Sequence, residues 1–145
     1  MSDIEDMLHA QEGTGPMRDG RYFPYQDSEG IWTIGCGHNL ESQGISADVQ
    51  RMLLMEDIAN AFDAVHHNCS CYDQLSRPRQ LVLLSLGFNL GKGKLAKFVR
   101  FLSALHLGHY DEAADELLNS KAAQQAPARY QQLASLMRTN ESPWV

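Results

Sequence analysis

Apolar residues recur at the spacing of an α-helix along most of the chain. The pattern covers residues 3–11 and resumes at Ser46, a residue type that often caps the start of a helix. From Ser46 it continues for roughly twenty residues, which predicts one long helix. Glycine and proline positions then divide the rest into four predicted helices: from Arg77-Pro78 to Gly91-Lys92-Gly93, from Leu95 to Gly108, over Tyr110–Asn119 and from Pro127 to Arg138.

Residues 13–45 have a different character. They hold seven of the eleven glycines, and the runs Tyr22-Phe23-Pro24-Tyr25 and Ile31-Trp32-Thr33-Ile34 favour strands. Asp27-Ser28-Glu29-Gly30 between these runs is typical of a turn. The whole pattern predicts an α+β protein of one domain, 1–145. We expect a small β-rich lobe over about 13–45, a connecting helix over 46–68 and a larger helical lobe over 69–145, on which the N-terminal helix packs.

Composition limits the classes of protein to which this chain of 145 residues belongs. Its length suits one compact unit or two lobes sharing a helix. It has no run of eighteen apolar residues, and its acidic start differs from a secretory signal, so we expect no membrane insertion and synthesis in the cytoplasm. Residues 1–70 carry 3 basic and 12 acidic side chains, and residues 71–145 carry 9 and 6, which together give the net charge of −6. This charge does not favour binding to nucleic acid.

The three cysteines, Cys36, Cys69 and Cys71, argue against a disulfide framework because their number is odd. Cys69 and Cys71 follow His66 and His67, an arrangement that raises the question of a metal site. Structural zinc sites usually space their cysteines more widely and add a second pair of ligands. We therefore expect free thiols, no metal and no cofactor.

Glu12, Asp27 and Thr33 are the candidates for chemistry. Each has an ordinary structural explanation by itself: a solvated helix end, a turn aspartate and a strand-forming threonine. Together they suit glycoside hydrolysis, which needs a protonated carboxylic acid beside the leaving oxygen and a second group that handles water or the sugar cation. A carboxyl that stays protonated near neutral pH requires partial burial against apolar groups.

Three stretches resemble the phage-type lysozymes, glycoside hydrolase family 24. They are Gln11-Glu12-Gly13 with Tyr25–Leu40, Gly44-Ile45-Ser46 leading into Glu56-Asp57-Ile58, and Arg79–Gly91 with Phe98 and the tail Arg129–Thr139. The resemblance covers nearly the whole chain in the same order, and the combination of Glu-Gly, Asp-x-x-Gly, Thr-Ile-Gly-x-Gly, Phe-Asn-x-Gly and Met-Arg-Thr is specific. It implies a lysozyme-like fold and an endolysin that cuts the β-1,4 bond between N-acetylmuramic acid and N-acetylglucosamine.

The resemblance also implies roles for individual residues. Glu12 matches the acid that protonates the glycosidic oxygen, and Asp27 with Thr33 matches the pair that positions water for an inverting reaction. The other matches are substrate-binding or supporting residues: Gly37, Phe88, Asn89 and Gly91 in the substrate cleft, Asn89 towards an acetamido group, His38 paired with Asp57, and Arg129 near the catalytic glutamate.

The spacing of the two acids departs from the family pattern. Fourteen residues separate Glu12 from Asp27, more than the family usually has, and we place the insertion at Thr14–Gly20 as a longer hairpin tip. If that placement is wrong, Asp19 becomes the rival second acid. Asp19 lacks the Thr-Ile-Gly-x-Gly run that follows Asp27, so we favour Asp27. A tryptophan that the family often has near Lys121-Ala122 is also absent.

Other functions stay open at this point. They include a virion-associated or secretion-system lysozyme, a catalytically inactive glycan-binding relative, a lytic transglycosylase or chitosan hydrolase on the same fold, and a helical interaction protein. Gly91-Lys92-Gly93-Lys94 lacks the spacing of a phosphate loop. The cluster Lys92, Lys94, Lys97 and Arg100 is either a solvated helix face or a patch that touches wall or outer-membrane phosphates.

The resemblance finally implies a biological setting. The partner is the peptidoglycan glycan strand, and the enzyme is a monomer that waits in the host cytoplasm. It would act on the cell wall in the periplasm after a holin-like protein opens the membrane.

Overall fold

The computed structural model describes residues 2–145, in which eight α-helices and five short strands form. The helices are α1 Asp3–Glu12, α2 Leu40–Gln43, α3 Ala47–Asn68, α4 Arg77–Leu95, α5 Val99–His106, α6 Tyr110–Leu118, α7 Lys121–Gln125 and α8 Pro127–Thr139, with a 3-10 turn at Tyr72–Gln74. The strands are β1 Met17–Arg18, β2 Arg21–Tyr22, β3 Tyr25–Gln26, β4 Trp32–Ile34 and β5 His38–Asn39. The predicted α+β class is confirmed.

The chain divides into two compact units, one ending at Met52 and the other covering Leu53–Val145. The first unit contains α1, α2, all five strands and the start of α3, and the second contains the remaining helices. The predicted packing of the N-terminal helix on the helical lobe stays a prediction.

The first unit holds two small antiparallel sheets. Strands β1 and β2 form a hairpin whose tip, Asp19-Gly20, has positive φ at both residues, 52° and 73°. Such a tip matches the twist of a tight hairpin. The second sheet has the order β3-β4-β5 and places Thr33 opposite Tyr25 on one side and Asn39 on the other.

The predicted strand Tyr22–Tyr25 is wrong in one respect, because the structure divides it between β2 and β3. Pro24 has no N–H to contribute to a ladder, and the Phe23 N–H donates to the carbonyl of Pro16 at 3.0 Å instead. The hairpin β1–β2 thus forms a separate element over part of the proposed insertion.

The second unit is built around a core in which α4, α5, α6 and α8 bury their apolar faces. Its largest fully buried side chains are Leu83, Leu86, Leu95, Phe101, Leu105, Leu117 and Met137, together with Val65 and Val82. Helix α4 passes close to α3 at Gly87, where an added Cβ would lie 2.9 Å from the carbonyl oxygen of Ala61. The absence of a side chain at Gly87 therefore permits this approach.

The predicted helix limits are confirmed at several points. The Ser46 hydroxyl accepts the Val49 N–H at 3.2 Å at the start of α3, and Gly108, with φ of 75°, follows α5. Gly91 breaks the geometry of α4 with φ 74° and ψ 174°, as predicted, but helical turns continue beyond it to Leu95. Helices α2 and α7 were not predicted.

Candidate active site

Glu12 is the last residue of α1. The helix ends there because Gly13 takes a φ of 70°, while its N–H donates to the His9 carbonyl at 3.0 Å. The Glu12 side chain is exposed. The partial burial expected of a catalytic acid is therefore not observed at Glu12.

The Glu12 carboxyl lies against Gly37, in the turn that joins β4 to β5. A Cβ built on Gly37 would be 3.3 Å from Oε2 of Glu12, tighter than an ordinary contact. The turn depends on glycine at two places, since Gly35 and Gly37 have φ of 62° and 73°. The predicted cleft residue Gly37 is thus a direct neighbour of the predicted catalytic acid.

Tyr25 ties the segment that follows Glu12 to the same turn. Its hydroxyl donates to the Gly35 carbonyl at 3.0 Å, and its ring lies so close to Gly15 that an added Cβ there would be 2.3 Å from the ring. A side chain at position 15 would collide with the ring, so glycine is needed there. Tyr25 therefore limits where the chain leaving α1 runs relative to the three-stranded sheet.

Asp27 closes the turn between β3 and β4. Its Oδ1 accepts the backbone N–H groups of Glu29 at 2.8 Å and Ile31 at 3.0 Å, and its carbonyl accepts the Gly30 N–H at 3.0 Å. These bonds fix the orientation of the carboxylate. Within the described residues both side-chain hydrogen bonds fall on Oδ1, so Oδ2 is available to another donor.

Thr33 and Asp27 are joined through one backbone group, the carbonyl of Ile31. This oxygen accepts the Asp27 N–H at 2.9 Å and the Thr33 hydroxyl at 2.9 Å. Thr33 is only 4% exposed, and among residues 2–145 it is the one polar residue that is buried. The structure thus brings together the two residues that the sequence suggested as a pair. Asp19, the rival acid, lies at the exposed tip of the β1–β2 hairpin.

His38 lies at the start of β5, where its Nε2 bonds to the backbone carbonyl of Gly44. This bond connects the start of β5 to Gly44, the residue that follows α2. Asp57, its predicted partner, lies on α3 in the second unit. The pairing of His38 with Asp57 stays a prediction.

Phe88, Gly91 and Asp57 line one cavity of about 590 Å³ in the second unit. It lies between α3 and α4, and Phe88 is 45% exposed there. Sequence reasoning missed the lining residues Asn60 and Asp63, which follow Asp57 at intervals of three on the same helix. That helical spacing is the signal that could have found them.

Asn89 and Arg129, two further predicted residues, contact each other. The Arg129 Nη1 donates to Oδ1 of Asn89 at 3.0 Å, and Nδ2 of Asn89 donates to the Ser85 carbonyl at 2.8 Å. A primary amide has two donor hydrogens and two acceptor lone pairs, so one of each stays available for a ligand. The side chain of Asn89 is therefore oriented but not saturated.

The thiols of Cys69 and Cys71 lie 3.1 Å apart, sulfur to sulfur, and Cys36 is also free. Burial, with a contribution from Cys71, raises the pKa of the Cys69 thiol from 9.0 to about 12. The described residues contain no group of three or more His, Cys, Asp or Glu side chains that could hold a metal ion. No helix in the described part of the chain is long and apolar enough to cross a membrane.

The predicted site residues thus fall into two sets, one in the first unit and one on the helices of the second. The sequence profile of the phage lysozyme family matches residues 17–141. The chain therefore belongs to the phage lysozyme family, and as such it is a glycoside hydrolase that degrades peptidoglycan. The matched range includes Asp27 and Thr33, whereas Glu12 precedes it.

Individual relatives agree with the family. The chain is 35% identical to the endolysin of Salmonella phage P22 over 71% of this chain and 74% of that protein. It is 24% identical to probable T4-type lysozyme 2 of Dictyostelium discoideum over 96% of this chain and 95% of the relative. Probable T4-type lysozyme 1 of the same organism matches with the same identity and coverage.

Proposed function

We propose that the protein hydrolyses the β-1,4 bond between N-acetylmuramic acid and N-acetylglucosamine with inversion at the anomeric carbon. Glu12 is the general acid, and Asp27 with Thr33 holds the attacking water. Gly37 lines the groove beside Glu12. The enzyme is a monomer that lyses the host cell after release from the cytoplasm by a holin-like protein.

The observation that carries this proposal is the attachment of both catalytic groups to one three-stranded sheet. Glu12 contacts Gly37 in the β4–β5 turn, and Asp27 and Thr33 share the Ile31 carbonyl where β3 meets β4. Because β4 connects the two places, this strand, which carries Thr33, links the turn that Glu12 contacts to the turn that Asp27 closes.

The reaction balances with these groups alone. Glu12 gives its proton to the glycosidic oxygen as the bond to the anomeric carbon breaks. A water molecule attacks that carbon from the opposite face and loses a proton to the free Oδ2 of Asp27, while Oδ1 stays held by Glu29 and Ile31. The sugar leaves with inverted configuration, and the proton returns from Asp27 to Glu12 through solvent.

Residues of the second unit contribute to binding of the glycan in this proposal. Asn89 presents one N–H and one lone pair, which complement the carbonyl and N–H of an acetamido group. Arg129 keeps the amide plane of Asn89 in one orientation. Phe88, 45% exposed, offers an apolar face for a sugar ring or a methyl group.

Two substitutions test the assignment of the acids, each with a matched control. Glu12→Gln and Asp27→Asn remove the two proposed groups, and we expect each to lower the cleavage rate of purified peptidoglycan by about a thousandfold or more. Glu29→Gln and Asp19→Asn make the same chemical changes at two exposed positions, and we expect both controls to keep most of the activity. Circular dichroism checks that all four variants fold.

The products distinguish the competing activities. Mass spectrometry of digested peptidoglycan would show a reducing-end sugar for hydrolysis and an anhydro-sugar for a lytic transglycosylase. Loss of activity in Asp19→Asn with retention in Asp27→Asn would assign the second acid to Asp19. Near-normal activity of Glu12→Gln would overturn the proposal, and binding of glycan by an inactive native enzyme would favour a glycan-binding relative.

A further inference from the structure

The lysines of this protein are concentrated in one place. The chain has four of them, Lys92, Lys94, Lys97 and Lys121, and no lysine precedes residue 92. Three line a single cavity of about 680 Å³ in the second unit, together with Arg100. This concentration contrasts with the net charge of −6 of the whole chain.

The cavity has a mostly apolar lining between these cations, with polar groups from Asn119, Ser120 and Gln125. Its lining includes Leu90, Phe98 and Phe101, with the two phenylalanine rings in edge contact at 6.4 Å between centroids. Val99 also lines it and is 67% exposed, between the half-buried Phe98 and the exposed Arg100. The cavity therefore offers an apolar surface that no described part of the chain covers at Val99.

The rim is strongly positive. Glu116 is the one acidic residue that lines the cavity, against the four cations. Within residues 2–145, no ion pair shorter than 4.0 Å neutralises Lys94, Lys97, Arg100 or Lys121. Unpaired cations around an apolar floor complement a molecule that carries both negative charge and hydrocarbon.

We propose that this cavity binds the anionic phospholipids of a bilayer surface. The lipid phosphate is held by Lys94, Lys97 and Lys121, and Val99 with the neighbouring apolar floor contacts the upper part of an acyl chain. Charge alone would suit free phosphate or a nucleic acid equally, but neither has hydrocarbon for the apolar floor. Such binding would hold the enzyme at the membrane surface, which goes beyond its action on the glycan.

Sedimentation with vesicles tests the proposal. Vesicles of phosphatidylcholine containing a third phosphatidylglycerol should bind the full-length protein at low salt, and vesicles of phosphatidylcholine alone should not. We expect Lys94→Gln/Lys97→Gln to weaken binding by about thirtyfold, from the usual contribution of a basic residue near an anionic surface. The control Arg51→Gln/Arg77→Gln removes the same charge elsewhere and should leave binding within about twofold of the native protein.

The variant Val99→Asn distinguishes binding of a lipid from binding of an anion that has no hydrocarbon chain. It keeps every charge and should weaken vesicle binding at least about threefold, because it places a polar amide on the acyl chain. All variants should keep native activity on purified peptidoglycan, so a failure here is distinct from a failure of the proposed catalysis. Equal losses of vesicle binding in Lys94→Gln/Lys97→Gln and in the control Arg51→Gln/Arg77→Gln would overturn the proposal. Unchanged vesicle binding by Val99→Asn, or tighter binding to an oligonucleotide than to the vesicles, would also overturn it.

Discussion

Glu12 packs its carboxyl group against Gly37, so that Oε2 lies 3.3 Å from the place where any larger residue would carry its Cβ. This contact joins the C-terminal end of α1 to the β4–β5 turn and locates the proposed acid on the small sheet. A glycine at position 37 thus serves two purposes: it takes a φ of 73° and leaves space for the carboxyl.

Gly37→Ala should displace the Glu12 carboxyl and lower activity by about tenfold or more, because small misplacements of a catalytic group are costly. Gly35→Ala is the matched control, since Gly35 also has a positive φ, 62°, but its added Cβ would meet nothing within 4 Å. Both variants should lose about 1–2 kcal/mol of stability from the backbone strain. Initial rates on peptidoglycan and urea unfolding provide the two measurements, and equal activity in the two variants would contradict the account.

Thr33→Val should lower the turnover rate by about tenfold while the protein stays folded. The substitution keeps the shape of the side chain but removes the hydroxyl proposed to hold water, and the Ile31 carbonyl keeps its bond from the Asp27 N–H. Thr33→Ser retains a hydroxyl and should retain most of the activity. Steady-state turnover rates of the native protein, Thr33→Val and Thr33→Ser test this role. A fully active Thr33→Val variant would remove Thr33 from the mechanism.

Gly87→Ala and Gly93→Ala should change stability in opposite directions. An alanine at 87 would place its Cβ 2.9 Å from the Ala61 carbonyl and 3.0 Å from Val65, so we expect a loss of about 1–3 kcal/mol. Gly93 lies in the helical part of α4 with nothing within 4 Å of an added Cβ, so alanine there should gain about 0.5–1 kcal/mol. Urea unfolding measures both, and destabilisation by Gly93→Ala would show that this turn is not helical.

Stability should fall as pH rises from 9 towards 12, partly through Cys69. Burial raises the pKa of this thiol from 9.0 to about 12, so above pH 9 the unfolded chain loses the proton while the folded protein keeps it. Loss of this proton from the unfolded chain should lower the free energy of unfolding by about 1 kcal/mol between pH 8 and pH 10.

Cys69→Ala should flatten that part of the pH profile, whereas Cys36→Ala should not. Burial also raises the pKa of Tyr72 and of Tyr130, so some loss of stability at alkaline pH would persist in both variants. Urea unfolding at pH 8, 9 and 10 gives the three profiles. Identical slopes in the two cysteine variants would contradict the assignment to Cys69.

Most helices and turns could be predicted from the sequence because residues close to them in the chain determine where they begin and end. Ser46 caps α3, Gly108 follows α5 and Asp27-Ser28-Glu29-Gly30 forms a turn, each through contacts within a few residues. Helix α7 escaped prediction because it has five residues and is set by a cap, the Ser120 hydroxyl accepting the Ala123 N–H. Helix α2, with four residues, is similarly short and is capped by Asn39.

The geometry of the site was less predictable because its contacts are distant in sequence. The match to known motifs suggested Asn89 and Arg129 separately, but their hydrogen bond joins residues forty positions apart. The contact of Glu12 with Gly37 depends on how the segment after α1 passes Tyr25, which no local pattern encodes. The lysine-lined cavity needed the fold as well, since Lys121 is distant from Lys94 and Lys97 in sequence.

The configuration of the first product tests the central claim most directly. If Glu12 protonates the leaving oxygen while water held by Asp27 and Thr33 attacks the opposite face, the new reducing end appears first as the α-anomer. Proton NMR of a peptidoglycan digest, recorded before the anomers equilibrate, distinguishes the two forms. Initial release of the α-anomer is the predicted result, and initial release of the β-anomer would contradict the mechanism.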